Sequence, residues 1–155
     1  MITSTADFNA VIGKACAKAL DHTLDMAMQA LRQSMDIVVY NGYSPVTYGR
    51  TGQLKTAWKK NPYPTSGGGS FSGGFQHEPS YMTSVPEIWW HGSKINGGDY
   101  REHVLDAVIS GYTAYGNGVT QIPSRDVWSH FLNKFDKNFD RWFRAGLRNA
   151  GLTIV

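Results

Sequence analysis

From Asp7 to about Met35 the apolar positions Phe8, Val11, Ile12, Ala15, Ala19, Leu24, Ala27, Met28, Leu31 and Met35 recur at three- and four-residue steps, with no proline and only Gly13 inside. Side chains at that spacing share one side of a helix, so the pattern predicts a single long amphipathic helix. Ser4 or Thr5 is placed to cap its start, and Ile37-Val38-Val39 ahead of Asn41-Gly42 marks where the period gives way to a turn. The other end of the chain carries the strongest stripe: Trp128, Phe131, Leu132, Phe135, Phe139, Trp142, Phe143 and Leu147. With Pro123 ending the preceding loop and Ser124 as an N-cap, a helix is predicted over 125–149. At about 100° per residue, Lys134, Lys137, Arg141, Arg144 and Arg148 fall on one row opposite the aromatic stripe. Gly146 lies on the apolar side, where the missing Cβ would admit another backbone, and Gly151 is a candidate stop.

The middle of the chain is less regular. Leu54 to Trp58 fits a strand or a short helix, and the strand is preferred. Met82 to His91, with Ile88-Trp89-Trp90, and Val104 to Tyr115 read as two antiparallel strands separated by a turn over Gly92 to Asp99. Pro86 moves the first toward an edge or bulge and Gly111 bends the second, while residues 101–110 also pass as a short helix. Residues 61–80 hold Pro62, Pro64, Gly67, Gly68, Gly69, Gly73 and Gly74 among serines, the composition of a flexible loop. Its two rings, Phe71 and Phe75, gain nothing from solvation, so the loop reads either as a tolerated surface excursion or as an arm that orders on a neighbour.

Composition narrows the class. The chain has 155 residues, 41% of them hydrophobic, enough for one domain with a sizeable core. A single cysteine, Cys16, excludes an internal disulfide and favours a buried small hydrophobe in a reducing compartment. No apolar run approaches the roughly 20 residues of a membrane helix, and the N-terminus lacks the basic stretch and apolar run of a secretory signal; a soluble chain with no membrane partner is expected. The net charge of +3 is unevenly placed: nine Lys/Arg and nine Asp/Glu lie in residues 1–122, against six and three in 123–155.

Between the first helix and the middle segments runs Tyr40-Asn-Gly-Tyr43-Ser-Pro45-Val-Thr-Tyr48-Gly-Arg50-Thr51-Gly52-Gln-Leu54. Its end, Tyr-x-Arg-Thr-Gly-x-Leu, resembles the signature of the tail-component, or neck, family of long-tailed bacteriophages, which place that motif between an N-terminal helix and the first strand. The order of elements is similar over most of the chain. At the entry to the last helix the family's Pro-x-Arg-Pro-Phe-like stretch is only partly kept in Ile122-Pro123-Ser124-Arg125-Asp126-Val127-Trp128, and residues 61–80 have no counterpart. The resemblance implies an α+β virion protein, with the long N-terminal helix and the C-terminal aromatic helix packed on a small, mostly antiparallel sheet as a single domain. It further implies assembly at the head–tail junction as a homo-oligomeric ring, six-fold as a first expectation. Partners would be other neck, connector and tail proteins, in the host cytoplasm during assembly and then in the virion. In the motif, Tyr48, Arg50, Thr51, Gly52 and Leu54 read as a structural turn: Arg50 as a charge-assisted anchor, Gly52 in a conformation costly for a Cβ.

No catalysis is implied, and the residues offer little against that. The histidines His22, His77, His91, His103 and His130 are scattered, without a pair at metal-ligand spacing; only His91 and His103, with Asp99 and Glu102 nearby, could converge into a metal or acid/base site. Ser70 lacks a Gly-x-Ser-x-Gly elbow, and the glycine run neither follows a strand nor opens a helix, so no catalytic, metal or cofactor motif is read. The basic row of the last helix is a solvated face, a contact for an acidic neighbouring subunit, or a site of non-specific DNA contact. The last of these makes a small nucleic-acid-binding protein the alternative reading, with a metal-dependent hydrolase a distant third.

Overall fold

Helix α1 runs from Thr5 to Met35, started by the Ser4 hydroxyl, which accepts the Asp7 N–H at 3.1 Å. That is the N-cap bond to the third helical residue. The computed structural model describes residues 4–41, 52–61, 72–83, 87–90, 93–96, 101–115 and 119–152. After α1 come α2 (Gln53–Thr56), β1 (Trp58–Asn61), β2 (Gly74–His77), a 3-10 turn (Pro79–Tyr81), β3 (Glu87–Trp90), β4 (Ser93–Asn96), α3 (Arg101–Ser110), β5 (Tyr112–Tyr115), β6 (Val119–Ile122) and α4 (Val127–Asn149). The architecture is α+β, with a long N-terminal helix, an aromatic C-terminal helix and small antiparallel strand pairs.

Several local expectations are corrected. The run Ile37-Val38-Val39 does not end the first helix: the backbone widens into a π-helical turn over Asp36–Tyr40, closed by Asn41 N–H on the Asp36 carbonyl at 2.8 Å. Val39 follows Met35 by four residues and both are buried, so continuing the coil keeps both inside, against the weak strand preference of three β-branched side chains. Leu54, Ala57 and Trp58 are buried at helical spacing, and the segment accordingly forms α2 before the strand starts at Trp58. Residues 101–110 take their helical alternative, leaving only Tyr112–Tyr115 extended.

Among the described residues the strands form three two-stranded ribbons. β3, within the segment read as a strand, pairs with β4, which lies inside what reads in sequence as a turn, from Glu87 opposite Asn96 to Trp90 opposite Ser93. β5 pairs with β6, from Tyr112 opposite Ile122 to Tyr115 opposite Val119. Each partner is the nearest strand in the chain, so little loop-closure entropy is lost. The expected pairing of the segment ending at His91 with the one ending at Tyr115 is replaced. β1 pairs with β2, and β2 falls within the 61–80 segment read as a loop.

The chain divides into two compact units, one comprising residues 1–30, 60–76 and 132–155, the other 31–59 and 77–131. In the first, the buried residues of α1 are Leu24 and a row of small side chains, Ala15, Ala19, Thr23, Ala27 and Ala30, and Thr23 is satisfied by donating to the Ala19 carbonyl at 2.7 Å. Gly146 of α4 sits directly on that row: a Cβ there would lie 2.6 Å from Ala19 Cα and 2.9 Å from Ala19 O. The close approach anticipated at Gly146 is present, and it brings the buried Trp142 alongside. Lys60 on β1 bridges to Asp21 at 2.6 Å and Asp25 at 2.7 Å, two carboxylates one helical turn apart on α1.

In the second unit Leu31, Ser34, Met35, Val39, Leu54, Ala57, Trp58, Met82, Val127 and Phe131 are buried. Trp58 donates its indole N–H to the Leu54 carbonyl at 3.0 Å and meets Trp128 edge-on at 5.8 Å. His130 Nδ1 and Ser34 Oγ are hydrogen-bonded at 2.9 Å. The cap of α4 is Asp126, accepting the Ser129 N–H at 2.9 Å, two residues beyond the expected Ser124. The far end of α4 stops as expected at Gly151 (φ +89°), with Leu152 N–H on Leu147 O and Gly151 N–H on Arg148 O, the paired bonds of a Schellman ending.

Candidate interaction surface

Of the turn motif, Tyr48, Arg50 and Thr51 lie outside the described residues. Gly52 has φ +70° and ψ 6°, in the left-handed region, where a Cβ is costly, and Leu54 is 5% exposed. A Cβ on Gly52 would meet only Lys55 Cε at 3.7 Å, so the demand for glycine comes from the backbone and not from crowding. Around the turn, Lys55 bridges to Asp36 at 2.9 Å and lies 5.8 Å from the Tyr40 ring centroid. Gln53 and Thr83 exchange two hydrogen bonds, at 2.9 and 3.0 Å. These tie α2 to the π turn and to the end of the 3-10 turn.

Phe71 also lies outside the described residues. Phe75 is half-buried in β2, which corrects the reading of residues 74–77 as loop. Four residues beginning with glycine carry no legible strand period; what holds the ribbon is pairing with β1, itself tethered to α1 through Lys60.

The basic row of α4 is only partly free. Lys137, Arg141, Arg144 and Arg148 are exposed and Lys134 is half-buried. Arg144 Nε contacts both Asp140 oxygens, at 3.0 and 2.8 Å, and Arg141 donates to Asn138 Oδ1 at 2.6 Å. Exposed contacts of this kind hold little energy, about 0.3–0.5 kcal/mol for a helix pair four residues apart, so a phosphate or carboxylate can displace them.

Missed in sequence is how unevenly the aromatic stripe is covered. Phe131 and Trp142 are 5% and 6% exposed, whereas Leu132 is 51% and Phe139 40% exposed. Phe139 stacks on Phe143 (centroids 5.9 Å, interplanar 11°) and tilts against Phe135 at 5.5 Å, so the uncovered flank is a continuous apolar surface. A finer helical projection separates the flank: Leu132, Phe139 and Phe143 cluster to one side of the Phe131–Trp142 line. On α1, Phe8 and Val11 are 51% and 45% exposed, and the first buried residue is Ala15. Tyr81 and Ile37 are exposed as well.

Among titratable groups, His77 stands out. It packs 5.5 Å from the Trp58 ring, and its Nε2 is buried without a hydrogen-bond partner among the described residues. Burial lowers its pKa, opposed by the charges of Glu102, Asp106 and Glu78. His103 lies in α3 and not on a strand, while His91 and Asp99 fall outside the described residues. Among the described residues no group of three or more His, Cys, Asp or Glu side chains is placed to hold a metal ion. Cys16 is half-buried. No helix among the described residues is long and apolar enough to cross a membrane. No family model, curated protein or solved structure matches this chain.

Proposed function

We infer that this chain is a non-enzymatic structural protein of the phage head–tail junction, a neck or tail-completion part that assembles as a ring between the head connector and the tail. The observation that carries the reading is the turn after α1, where the described part of Tyr-x-Arg-Thr-Gly-x-Leu has the backbone the motif demands: Gly52 at φ +70° and Leu54 buried. The uncovered apolar positions on α1 and α4 support it further, since contiguous apolar surface rimmed by charge marks a protein contact. On this reading the chain acts in the host cytoplasm during assembly and resides in the virion. Size-exclusion chromatography with light scattering, on the chain mixed with the connector and tail proteins of the same phage, tests it. A co-eluting complex is expected; a chain that stays alone in every mixture refutes it.

The exposure of Lys137, Arg141 and Arg148 on one row favours a second reading, non-specific DNA binding. A salt-sensitive shift of duplex DNA by the small species, without any co-complex, would favour it over the first.

A further inference from the structure

Among the described residues, two apolar stripes of the same compact unit are only partly covered, and their charged borders differ in net sign. The first is at the start of α1: Phe8, Val11 and Ile12 share one side, with Phe8 and Val11 about half exposed, and Lys14 and Lys18, both exposed, border it three residues beyond Val11 and Ala15, with the exposed Asp7 at the N-terminal end of the same border. The second is the flank of α4: Leu132, Phe139 and Phe143, bordered by the exposed Asp136 and Asp140, each one helical turn from a member of the stripe. Asp136 has no ion-pair partner among the described residues, and Asp140 has only its neighbour Arg144.

We propose that these two surfaces are the two halves of one contact between copies of the chain: the first four turns of α1 of one copy lie on the Leu132–Phe139–Phe143 flank of α4 of the next, with Lys14 and Lys18 facing Asp136 and Asp140. The occupant is a second copy because one chain carries both apolar surfaces, with the basic Lys14 and Lys18 beside one and the acidic Asp136 and Asp140 beside the other. A contact that joins different patches is heterologous, so each copy keeps one free half and the assembly extends until rotation closes it. The aromatic and aliphatic area involved is a few hundred Å² per copy, short of the roughly 800 Å² per partner of a stable interface. One contact alone is therefore weak, and closure, which gives every copy two, supplies the avidity. The contact deepens the assembly reading and rests on it only for the expectation that copies meet.

Sedimentation velocity on the purified chain tests the contact. The parent should move from monomer to larger species as its concentration is raised, and less so in high salt. Phe8→Asp disables the α1 half and Leu132→Lys the α4 half; both positions are about half exposed, so folding should be kept, as verified by circular dichroism and thermal melting. Each variant alone should stay monomeric, since a copy lacking either half cannot contact another of its kind. Mixed in equal amounts at the highest concentration used, they should form a one-to-one dimer through the single intact contact, weaker than the parent assembly, and nothing larger. Phe8→Leu, which keeps an apolar side chain, should associate like the parent. The proposal is overturned by a parent that is monomeric at every concentration, by variants that associate as the parent does, or by a mixture that does not dimerise. None of these results touches the neck reading, which stands or falls on co-assembly with connector and tail proteins.

Discussion

Replacing Gly146 by alanine adds one methyl group to the tightest point of the first unit. In an exposed helix interior this change is favourable by about 0.8–1.0 kcal/mol, because glycine loses more backbone freedom on folding. Here the new Cβ would stand 2.6 Å from Ala19 Cα, 2.9 Å from its O and 3.2 Å from its C. All three are backbone atoms of α1, so no rotamer change relieves them, and carbon atoms in contact prefer roughly 3.5–4.0 Å. The two helices must part by something near 1 Å, loosening the cover over Ala15, Ala19 and Trp142. Overpacking of this kind costs about 1–3 kcal/mol, which outweighs most or all of the gain in propensity, and a larger insertion costs more. Gly146→Ala is expected to lose the propensity gain entirely and to be destabilised by up to about 2 kcal/mol net, and Gly146→Val by more. Urea denaturation followed by circular dichroism measures this as a lower midpoint with an unchanged slope. Trimming Ala19 to glycine in the same chain should not rescue it, because the clash is with backbone. A Gly146→Ala variant that is more stable than the parent by the propensity difference would show that the close helix approach does not exist in solution.

Other substitutions probe separate parts of the argument. At Gly52, where φ is +70° and a Cβ makes only an ordinary contact with Lys55, the expected order of stability is Asn above Ala above Val, with Ala down by about 1–2 kcal/mol; equal melting of all three would remove the left-handed turn. For His77, burial holds the folded pKa below the ordinary 6.5, so the unfolded chain takes up the proton first as pH falls. Its contribution is full above pH 6.5 and is lost below it, toward the folded pKa; His77→Phe, which keeps a ring against Trp58, should flatten the parent's loss of urea midpoint between pH 7.5 and 5, both limits being about a unit or more from 6.5. An equally steep profile in the variant would assign the effect to other groups. Lys60→Met removes both bridges to Asp21 and Asp25; because these aspartates are more than half exposed, the loss should be under about 1 kcal/mol and should vanish in high salt. Charge reversal at Arg141 and Arg144 should leave melting within about 0.5 kcal/mol, since both are exposed, while weakening partner or DNA binding. Normal particle assembly and DNA packaging by that double variant would make the basic row plain solvated surface.

The two long helices are legible in the chain because each repeats its apolar period over many turns, and a period sustained that long has one good solution. The same holds for the stop at Gly151 and the close approach at Gly146, since a glycine on an apolar helix face, or just past its end, has few other uses. Strand partners were not legible. Four-residue strands such as Gly74–His77 and Ser93–Asn96 are too short to display a period, and which strand each finds is decided by loop closure and by anchors such as Lys60 on Asp21 and Asp25. Likewise, periodicity reports which side of α4 is apolar but not how much of it another element covers. Only the packing of Gly146 on Ala19 aims that stripe so that Trp142 is enclosed while Leu132 and Phe139 remain outside. At the start of α1, Phe8 and Val11 continue the same sequence period as Ala15 and Ala19, yet they are exposed, because burial needs a partner surface and not only a side to bury.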